Sequence, residues 1–396
     1  MKHYTLSRGL SRGAWLVSLL MLTSCAMAPR QQAVEPLFHD ALFQPLSTPV
    51  LAASVFELSP AMRRYADEVL RPAMRGAAPE QALVDALYRK GHLQLEYDAS
   101  TTRNAAQAFE ARTGNCLSLV IMTASFARYL GLSVRFQSVQ VEPSWSRSAH
   151  VLVASGHVNL NLARGGNNGN RFYAGNPSLT VDFLPSELAG HFRTEAISEA
   201  TVTAMYFNNR AAEALTEGRL DEAYAWAVAA VRAAPAFLDA INTLAVIYQQ
   251  HGNPLQAEVV LRRVLALTPD NPIALTNLVG VLQALGRDEE AKLTATRLAA
   301  IEPYPPFHFF DLGLAALRAG DFANARQHFK RELRRQHAQP EAHFWLAVAS
   351  LQLGDARDAE RHLKTAIDHS TTRDSRALYS AKLDWLREQA YSRGGG

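Results

Sequence analysis

The amino-acid sequence predicts an α+β domain followed by an all-α repeat solenoid, behind a short N-terminal targeting segment. Three observations predict this architecture. An apolar run lies close to the N-terminus, a middle region passes from helical segments to alternating strands, and the C-terminal half repeats itself at a constant interval. Because 396 residues exceed the usual size of one domain, the three regions are expected to be separate units.

The segment 1–24 has the pattern of a signal peptide. Basic side chains precede an apolar run that begins at Ala14 and is shorter than the roughly 20 residues of a bilayer-spanning helix. The run ends in Leu-Thr-Ser-Cys25, which resembles a bacterial lipobox. The resemblance implies a lipid on Cys25 and, because Ala26 rather than Asp follows, sorting to the outer membrane with the chain facing the periplasm. The alternative is an ordinary secretory signal that contains a cysteine.

The charge of the chain gives no sign of a nucleic-acid partner. Three of the 40 basic residues lie in the signal segment, which has no acidic residue, and this leaves 37 basic against 37 acidic side chains. Phosphate binding needs a basic stripe, which a balanced composition does not indicate. We therefore expect no nucleic-acid partner.

The C-terminal half repeats a glycine and an alanine five times, and a proline three times, at the constant step that separates Gly218 from Gly252. The pattern resembles the tetratricopeptide repeat, whose period is about 34 residues, and implies five pairs of helices over residues 204–371. Glycine then ends the first helix of each pair in a left-handed conformation, and small residues allow the helices to cross closely. The repeated residues are Gly218, Gly252, Gly286, Gly320 and Gly354; Ala223, Ala257, Ala291, Ala325 and Ala359; and Pro235, Pro269 and Pro303.

An amphipathic helix over residues 372–390 is expected to cap the array. Leu378, Leu383 and Leu386 are its apolar side chains. A terminal repeat exposes the face that a further repeat would cover, so a capping helix is needed there.

The array is expected to bind a protein or peptide partner, because the resemblance implies a concave groove. Asn209, Asn277 and Asp311 occupy equivalent positions in the first helices of their repeats. We expect them to hydrogen-bond the backbone of the partner. The alternative is that they are polar positions that contact only solvent.

Between a predicted flexible tether (residues 25–39) and the array, residues 40–190 read as helices followed by strands, which is typical of an α+β domain. Ser59-Pro60 and Pro79 suit helix starts, and residues 104–112 suit another short helix. An apolar helix follows Cys116 and stops at Gly131. Predicted strands cover residues 133–141, 150–153, 157–162 and 179–184, with a tight turn at Ser155-Gly156.

A cysteine motif in this middle region resembles the bacterial members of the transglutaminase-like superfamily, within the papain-like fold. Arg-Thr-Gly-Asn-Cys116-Leu-Ser-Leu opens the apolar helix, and a histidine and an aspartate follow in predicted strands. The resemblance covers about residues 93–185 and implies Cys116 as nucleophile, His150 as general base and Asp182 as the residue that orients the imidazole. His150 and Asp182 lie further apart in the sequence than is common in that family. His157 is the alternative base.

These residue types suit attack on an amide even without the resemblance. A helix N-terminus stabilises a thiolate, an imidazole accepts the thiol proton, and a carboxylate fixes the tautomer of the imidazole. The backbone N–H of Cys116 is the expected oxyanion donor. A thioester would form and be resolved by water or by an amine. No cofactor is expected, and the sequence has neither a cysteine pair nor the His-x-x-x-His spacing typical of a zinc site.

The sequence therefore predicts a lipid-anchored thiol enzyme of the cell envelope that acts on amide bonds of a protein or peptide, with repeats that recruit the substrate or a partner. The alternative is a non-catalytic lipoprotein scaffold for protein–protein interaction, in which the cysteine domain serves only for binding. Replacement of Cys116 by Ala distinguishes the two, because the scaffold predicts no change in phenotype.

Overall fold

The computed structural model describes residues 33–47, 49–75, 78–88, 96–98, 101–148, 151–164, 178–183, 193–370 and 372–394. Helices and strands alternate in the N-terminal part, and helices alone form the C-terminal part. The N-terminal helices are α1 (Pro60–Tyr65), α2 (Arg71–Ala73), α3 (Pro79–Tyr88), α4 (Ala105–Ala111) and α5 (Cys116–Tyr129). The strands are β1 (Glu96–Tyr97), β2 (Thr113–Gly114), β3 (Ser133–Ser148), β4 (Val151–Ala163), β5 (Leu179–Val181) and β6 (Thr194–Ile197).

The helix starts of the N-terminal part follow the capping residues that the sequence indicates. Ser59 caps α1, since its hydroxyl accepts a hydrogen bond from the Met62 N–H at 3.2 Å. Asn104 and Gln107 form a reciprocal capping box at the start of α4. Such side chains satisfy backbone N–H groups that have no partner within the helix. The predictions for these two helices and for the helix at Pro79 are confirmed.

A four-stranded antiparallel sheet, in the order β5-β4-β3-β6, supports α5. Residues 117–127 of α5 are all buried, and the helix packs against β3, β4 and α4. Leu160 and Leu162 of β4 and Phe136 of β3 are among the buried side chains of this core. A helix that is apolar on all sides fits such a central position.

One predicted turn is wrong. The tight turn expected at Ser155-Gly156 is absent, and β4 runs without interruption through both residues. The register against β3 shifts between Val139 and Ser144, which pair with His157 and Ser155, so four residues of β3 lie opposite Gly156 alone. A glycine beside a β-bulge and a glycine in a tight turn give the same sequence signature, so the sequence does not distinguish the two.

Five helix pairs and one further helix make up the described part of the chain after residue 198. Each pair ends its first helix at a glycine with positive φ, between 71° and 84°, as the sequence predicts. The helices are α6 (Glu199–Thr216), α7 (Leu220–Ala233), α8 (Leu238–Gln250), α9 (Pro254–Leu267), α10 (Pro272–Ala284), α11 (Asp288–Ile301), α12 (His308–Arg318), α13 (Phe322–Arg335), α14 (Pro340–Gln352), α15 (Ala356–Asp368) and α16 (Arg373–Gly394).

The last helix, α16, packs on the array with a different set of side chains from the one expected. Leu383 and Leu386 are buried, as predicted, but Leu378 is 58% exposed. Tyr379 takes its place, and its ring stacks on Phe344 of α14 at a centroid separation of 5.1 Å. At the start of α16, the apolar face is therefore one residue further along the chain than the sequence pattern predicts.

The segment of residues 34–46, here called the N-terminal strap, lies against the first two repeats. Its backbone is held by two tyrosine hydroxyls. The His39 N–H donates to the Tyr224 Oη at 2.8 Å and to the Tyr248 Oη at 3.0 Å, and the Tyr248 hydroxyl donates to the Leu37 carbonyl oxygen at 2.8 Å. Residues 34–39, which we expected to belong to a flexible tether, are thus fixed on the array.

Aromatic and ionic contacts complete the attachment of the strap. Phe43 stacks on Tyr224 with ring centroids 3.9 Å apart and also contacts His251. Glu35 forms an ion pair with Arg232 of α7 at 3.1 Å. Composition alone misses this arrangement, because the partners of the strap lie in a distant part of the sequence.

We predict opposite effects of alanine at two glycines in neighbouring repeats. A Cβ at Gly313 of α12 would lie 2.6 Å from the Phe329 ring, so Gly313→Ala should lower stability by about 1–3 kcal/mol through overpacking. Gly280→Ala in α10 meets only the end of Gln249 at 3.2 Å and should raise stability by roughly 0.5–1 kcal/mol. Thermal and denaturant unfolding of the two variants measures both changes. Equal effects would contradict the close crossing of α12 and α13.

Candidate active site

The cysteine stands at the first position of α5, and its neighbours fix that position. Asn115 is the N-cap residue, and its Oδ1 accepts hydrogen bonds from the Ser118 N–H at 2.9 Å and the Ser118 hydroxyl at 2.8 Å. A Cβ at Gly114 would come within 2.7 Å of the Ser118 Cβ, so only glycine fits there. The Gly-Asn-Cys motif therefore determines where the helix begins.

Two side chains of β4 hold the carboxylate of Asp182, which directly follows β5. His157 Nε2 lies 2.6 Å from Asp182 Oδ1, and Asn159 Nδ2 donates to Asp182 Oδ2 at 2.8 Å. The His157 side chain is 7% exposed and that of Asp182 32% exposed. Because both carboxylate oxygens are engaged from one strand, the plane of the imidazole is fixed relative to Asp182.

Cys116, which is half-buried, lies near enough to His157 to act on the charge of its ring. Burial lowers the pKa of His157, but the hydrogen bonds and charges of Asp182 and Cys116 outweigh it and raise the pKa to about 9. The imidazole is therefore predominantly protonated at neutral pH.

The structure describes two of the three predicted catalytic residues. Cys116 and Asp182 both lie beside one imidazole, which belongs to His157. His150, the expected base, lies outside the described residues, as does Cys25. Within the part of the chain that the structure describes, the histidine next to the cysteine is thus the one that we ranked as the alternative.

Two neighbours of the site were not identified from the sequence. Asn159 lies two residues after His157, so strand alternation places both side chains on the same face. Tyr97 pairs with Gly114 across β1 and β2. Partial burial and the nearby charges of Cys116 and Asp98 raise the pKa of Tyr97. The pair of polar residues within an apolar strand was a usable signal, whereas the position of Tyr97 depends on tertiary pairing.

Cavity size does not mark this site. One cavity of about 710 Å³ lies between the N-terminal strap and α7, and another of about 380 Å³ is bordered by Arg71, Arg75 and Arg164. Neither is lined by the three side chains described above. Among the described residues, no group of three or more His, Cys, Asp or Glu side chains is arranged to hold a metal ion.

The predicted partner-binding residues lie on the first helices of three repeats. Asn209 on α6 and Asn277 on α10 are half-buried, and Asp311 on α12 is exposed. Their contact with a partner stays a prediction. Within the described ranges, no helix is both long enough and apolar enough to cross a membrane.

We predict that two histidines give opposite pH dependence of stability. His157 has a raised pKa, so its stabilising effect, on the order of 3 kcal/mol, is complete below about pH 6.5 and is lost as the pH rises through about 9. Burial and the charge of His369 lower the pKa of His343, so its contribution is lost as the pH falls below about 6.5.

The measurement is the thermal unfolding midpoint of wild type, His157→Gln and His343→Gln between pH 5 and 10. The destabilisation by His157→Gln should shrink towards alkaline pH, and that by His343→Gln should shrink towards acidic pH. A constant effect of His157→Gln across this range would contradict the ion pair.

The comparisons with known proteins concern the helical part of the chain. Models of the tetratricopeptide repeat match residues 249–306 and 310–380. A search of curated proteins found no match. Three similar solved structures are a thermophilic TPR protein of Thermus thermophilus, TTC0263 (20% identity, 46% of this chain and 98% of that chain, TM-score 0.29), pilF of Pseudomonas aeruginosa (23%, 46% and 91%, 0.27) and YrrB, a TPR protein with an unusual peptide-binding site (19%, 46% and 92%, 0.24).

The repeat assignment thus has two independent supports. The family models match by sequence, and the helix pairs show the glycine-terminated first helix and the close crossing that the repeat requires. Repeats of this type bind protein or peptide partners at a general level. The C-terminal part of this chain is a tetratricopeptide-repeat array.

Proposed function

We propose that this protein is a thiol-dependent enzyme that transfers acyl groups from amide bonds of a protein or peptide, with the repeat array as the binding platform for its partner. The observation that carries the proposal is that Cys116, at the start of a buried helix, lies beside His157, whose ring is hydrogen-bonded to Asp182. The resemblance of the Gly-Asn-Cys motif to the transglutaminase-like superfamily, within the papain-like fold, supports the same chemistry.

In the first step, the Cys116 sulfur attacks the carbonyl carbon of the amide. The carbonyl oxygen becomes negative beside the backbone N–H of Cys116, which has no acceptor within α5 because it is at the first position of the helix. His157 then donates its proton to the departing nitrogen, the C–N bond breaks, and a thioester remains on the sulfur. Asp182 stabilises the positive imidazolium before this transfer.

In the second step, the neutral imidazole of His157 acts as a general base. It takes a proton from water, which attacks the thioester and gives a carboxylic acid, or from an amine, which gives a new amide. The C–S bond breaks, and the proton returns to the Cys116–His157 pair. Hydrolysis and transamidation therefore share one intermediate.

The second candidate function is that of a scaffold for protein–protein interaction without catalysis. The matches of residues 249–306 and 310–380 to the tetratricopeptide repeat favour it, because they bear on partner binding and on no chemistry. Binding is common to both candidates. They differ in whether Cys116 reacts.

We further propose that the chain is anchored in the cell envelope through lipid on Cys25, at the outer membrane and facing the periplasm. The segment from Cys25 to Leu37 is short, and a fully extended chain of that length spans at most about 43 Å. Because Leu37 to Phe43 are fixed on α7 and α8, a lipid on Cys25 would keep the point where the strap meets these helices within that distance of the membrane.

The reactivity of Cys116 tests the catalytic proposal. In a full-length chain with Cys25→Ser, Cys116 is the remaining cysteine. We expect His157→Ala to slow alkylation by iodoacetamide at pH 7 by about 10²-fold, since the imidazole no longer holds the proton of the thiol. Asp182→Asn should slow it less, and His328→Gln, on α13, serves as a control that leaves the rate unchanged.

Equal alkylation rates in the wild type and in His157→Ala would exclude the thiol enzyme. A loss of reactivity in Cys116→Ala shows only that the probe reports on this residue. If the Cys116→Ala protein fully restores the wild-type phenotype of a deletion strain, the scaffold function is supported instead.

A further inference from the structure

The first helix of the repeat array contacts the loop that precedes α4. The Glu213 carboxylate on α6 accepts a hydrogen bond from the Thr102 backbone N–H at 2.7 Å. Arg210, one turn earlier on α6, donates to the other carboxylate oxygen at 2.9 Å and to the Thr102 carbonyl oxygen at 3.5 Å. Both backbone groups of Thr102 are therefore held by side chains of the array.

The same loop holds the residue that precedes the cysteine. Asn115 Nδ2 donates to Thr102 Oγ1 at 2.8 Å, and Asn115 Oδ1 caps the first turn of α5 through Ser118. The Ser118 hydroxyl in turn accepts a hydrogen bond from the Arg103 N–H at 2.8 Å. Thr102 is 1% exposed and Asn115 8% exposed. An unbroken series of hydrogen bonds therefore joins α6 to the helix turn that carries Cys116.

The environment of this contact makes it sensitive to displacement. The Glu213 side chain is 23% exposed, and its burial raises its pKa, against the opposing effects of the Thr102 hydrogen bond and the Arg210 charge. A partly buried carboxylate that loses its hydrogen-bond donor lowers the stability of the fold, as does a buried amide that loses its acceptor. A shift of α6 must therefore carry Thr102 with it or leave these groups without partners.

We propose that Glu213 is a positioning residue through which the repeat array controls the reactivity of Cys116. This inference rests on the proposed function of Cys116 as a nucleophile. A partner that binds the first repeats and shifts α6 by a small sliding motion would displace Thr102, and the Asn115 cap would follow. The first turn of α5 carries the Cys116 sulfur and the N–H group that we expect to bind the oxyanion. This turn would then become less ordered.

Four variants in the Cys25→Ser chain separate this role from simple attachment of the two parts. Glu213→Leu removes the acceptor, and Thr102→Val removes the hydroxyl that Asn115 contacts. Glu213→Gln keeps one acceptor oxygen and is the conservative variant. Glu199→Gln is the matched control, because Glu199 also lies on α6 and pairs with Arg128 at the opposite end of α5, at 2.5 Å.

Two measurements are made on each variant: the rate of Cys116 alkylation by iodoacetamide and the hydrogen-exchange rate of the Ser118 amide. We expect Glu213→Leu and Thr102→Val to slow alkylation about five- to tenfold, the equivalent of losing one helix cap, and to speed the exchange. Glu213→Gln should stay within about twofold of wild type, and Glu199→Gln should change neither rate.

Unchanged alkylation and exchange in Glu213→Leu would overturn the inference, as would an equal loss in Glu199→Gln, which would show general loosening between the two parts. Failure of the proposed function has a different signature. If exchange at Ser118 rises in Glu213→Leu while wild-type alkylation does not depend on His157, the coupling between array and helix is supported and the catalytic role of Cys116 is not.

Discussion

The hydrogen bond between the Asn115 side chain and the Ser118 backbone N–H is the constraint on which the site depends. It fixes the start of α5, and with it the position of the Cys116 sulfur and the direction of the first free N–H groups. Gly114 permits the close approach that this start requires. The imidazole of His157 has to meet a sulfur whose place is already set, because a buried helix cannot shift within its core without loss of packing.

The N-terminal part and the first repeats are joined by more than this contact. A continuous set of buried side chains runs from Val34 in the N-terminal strap through α5 and on to Ala291 in α11. The chain that follows the strap returns to the sheet, where Phe56 contacts Phe136 of β3 at a centroid distance of 5.8 Å. The first repeats and the helix that carries Cys116 therefore share one core, which is the structural basis for the coupling that we propose.

The array could be predicted from the sequence, and the reason is physical. In a strict repeat, the same local conformation recurs at each step and needs the same residue type. Gly218 and its four equivalents therefore indicate a left-handed residue, and residues such as Ala223 indicate a close helix crossing. The start of α5 could be predicted as well, since an Asn before an apolar run is a strong cap signal.

The place of His157 beside Cys116 and the order of the strap depended on information that the sequence does not display. Strand register decides which side chains of β4 lie near the cysteine, and the bulge opposite Gly156 shifts that register. One signal pointed to His157: it lies nearer to Asp182 in the sequence than His150 does. The order of the strap comes from Tyr224 and Tyr248, whose hydroxyls satisfy its backbone, and composition cannot show such distant partners.

The central claim is that Cys116 forms a thioester with the help of His157. Its most direct test is peptide mapping by mass spectrometry of the Cys25→Ser chain after brief exposure to p-nitrophenyl acetate and an acid quench. We predict an acetyl group on the peptide that contains Cys116 in the wild type, and its absence in His157→Ala. Acetyl groups spread over lysine side chains, or equal labelling of Cys116 in both chains, would contradict the account.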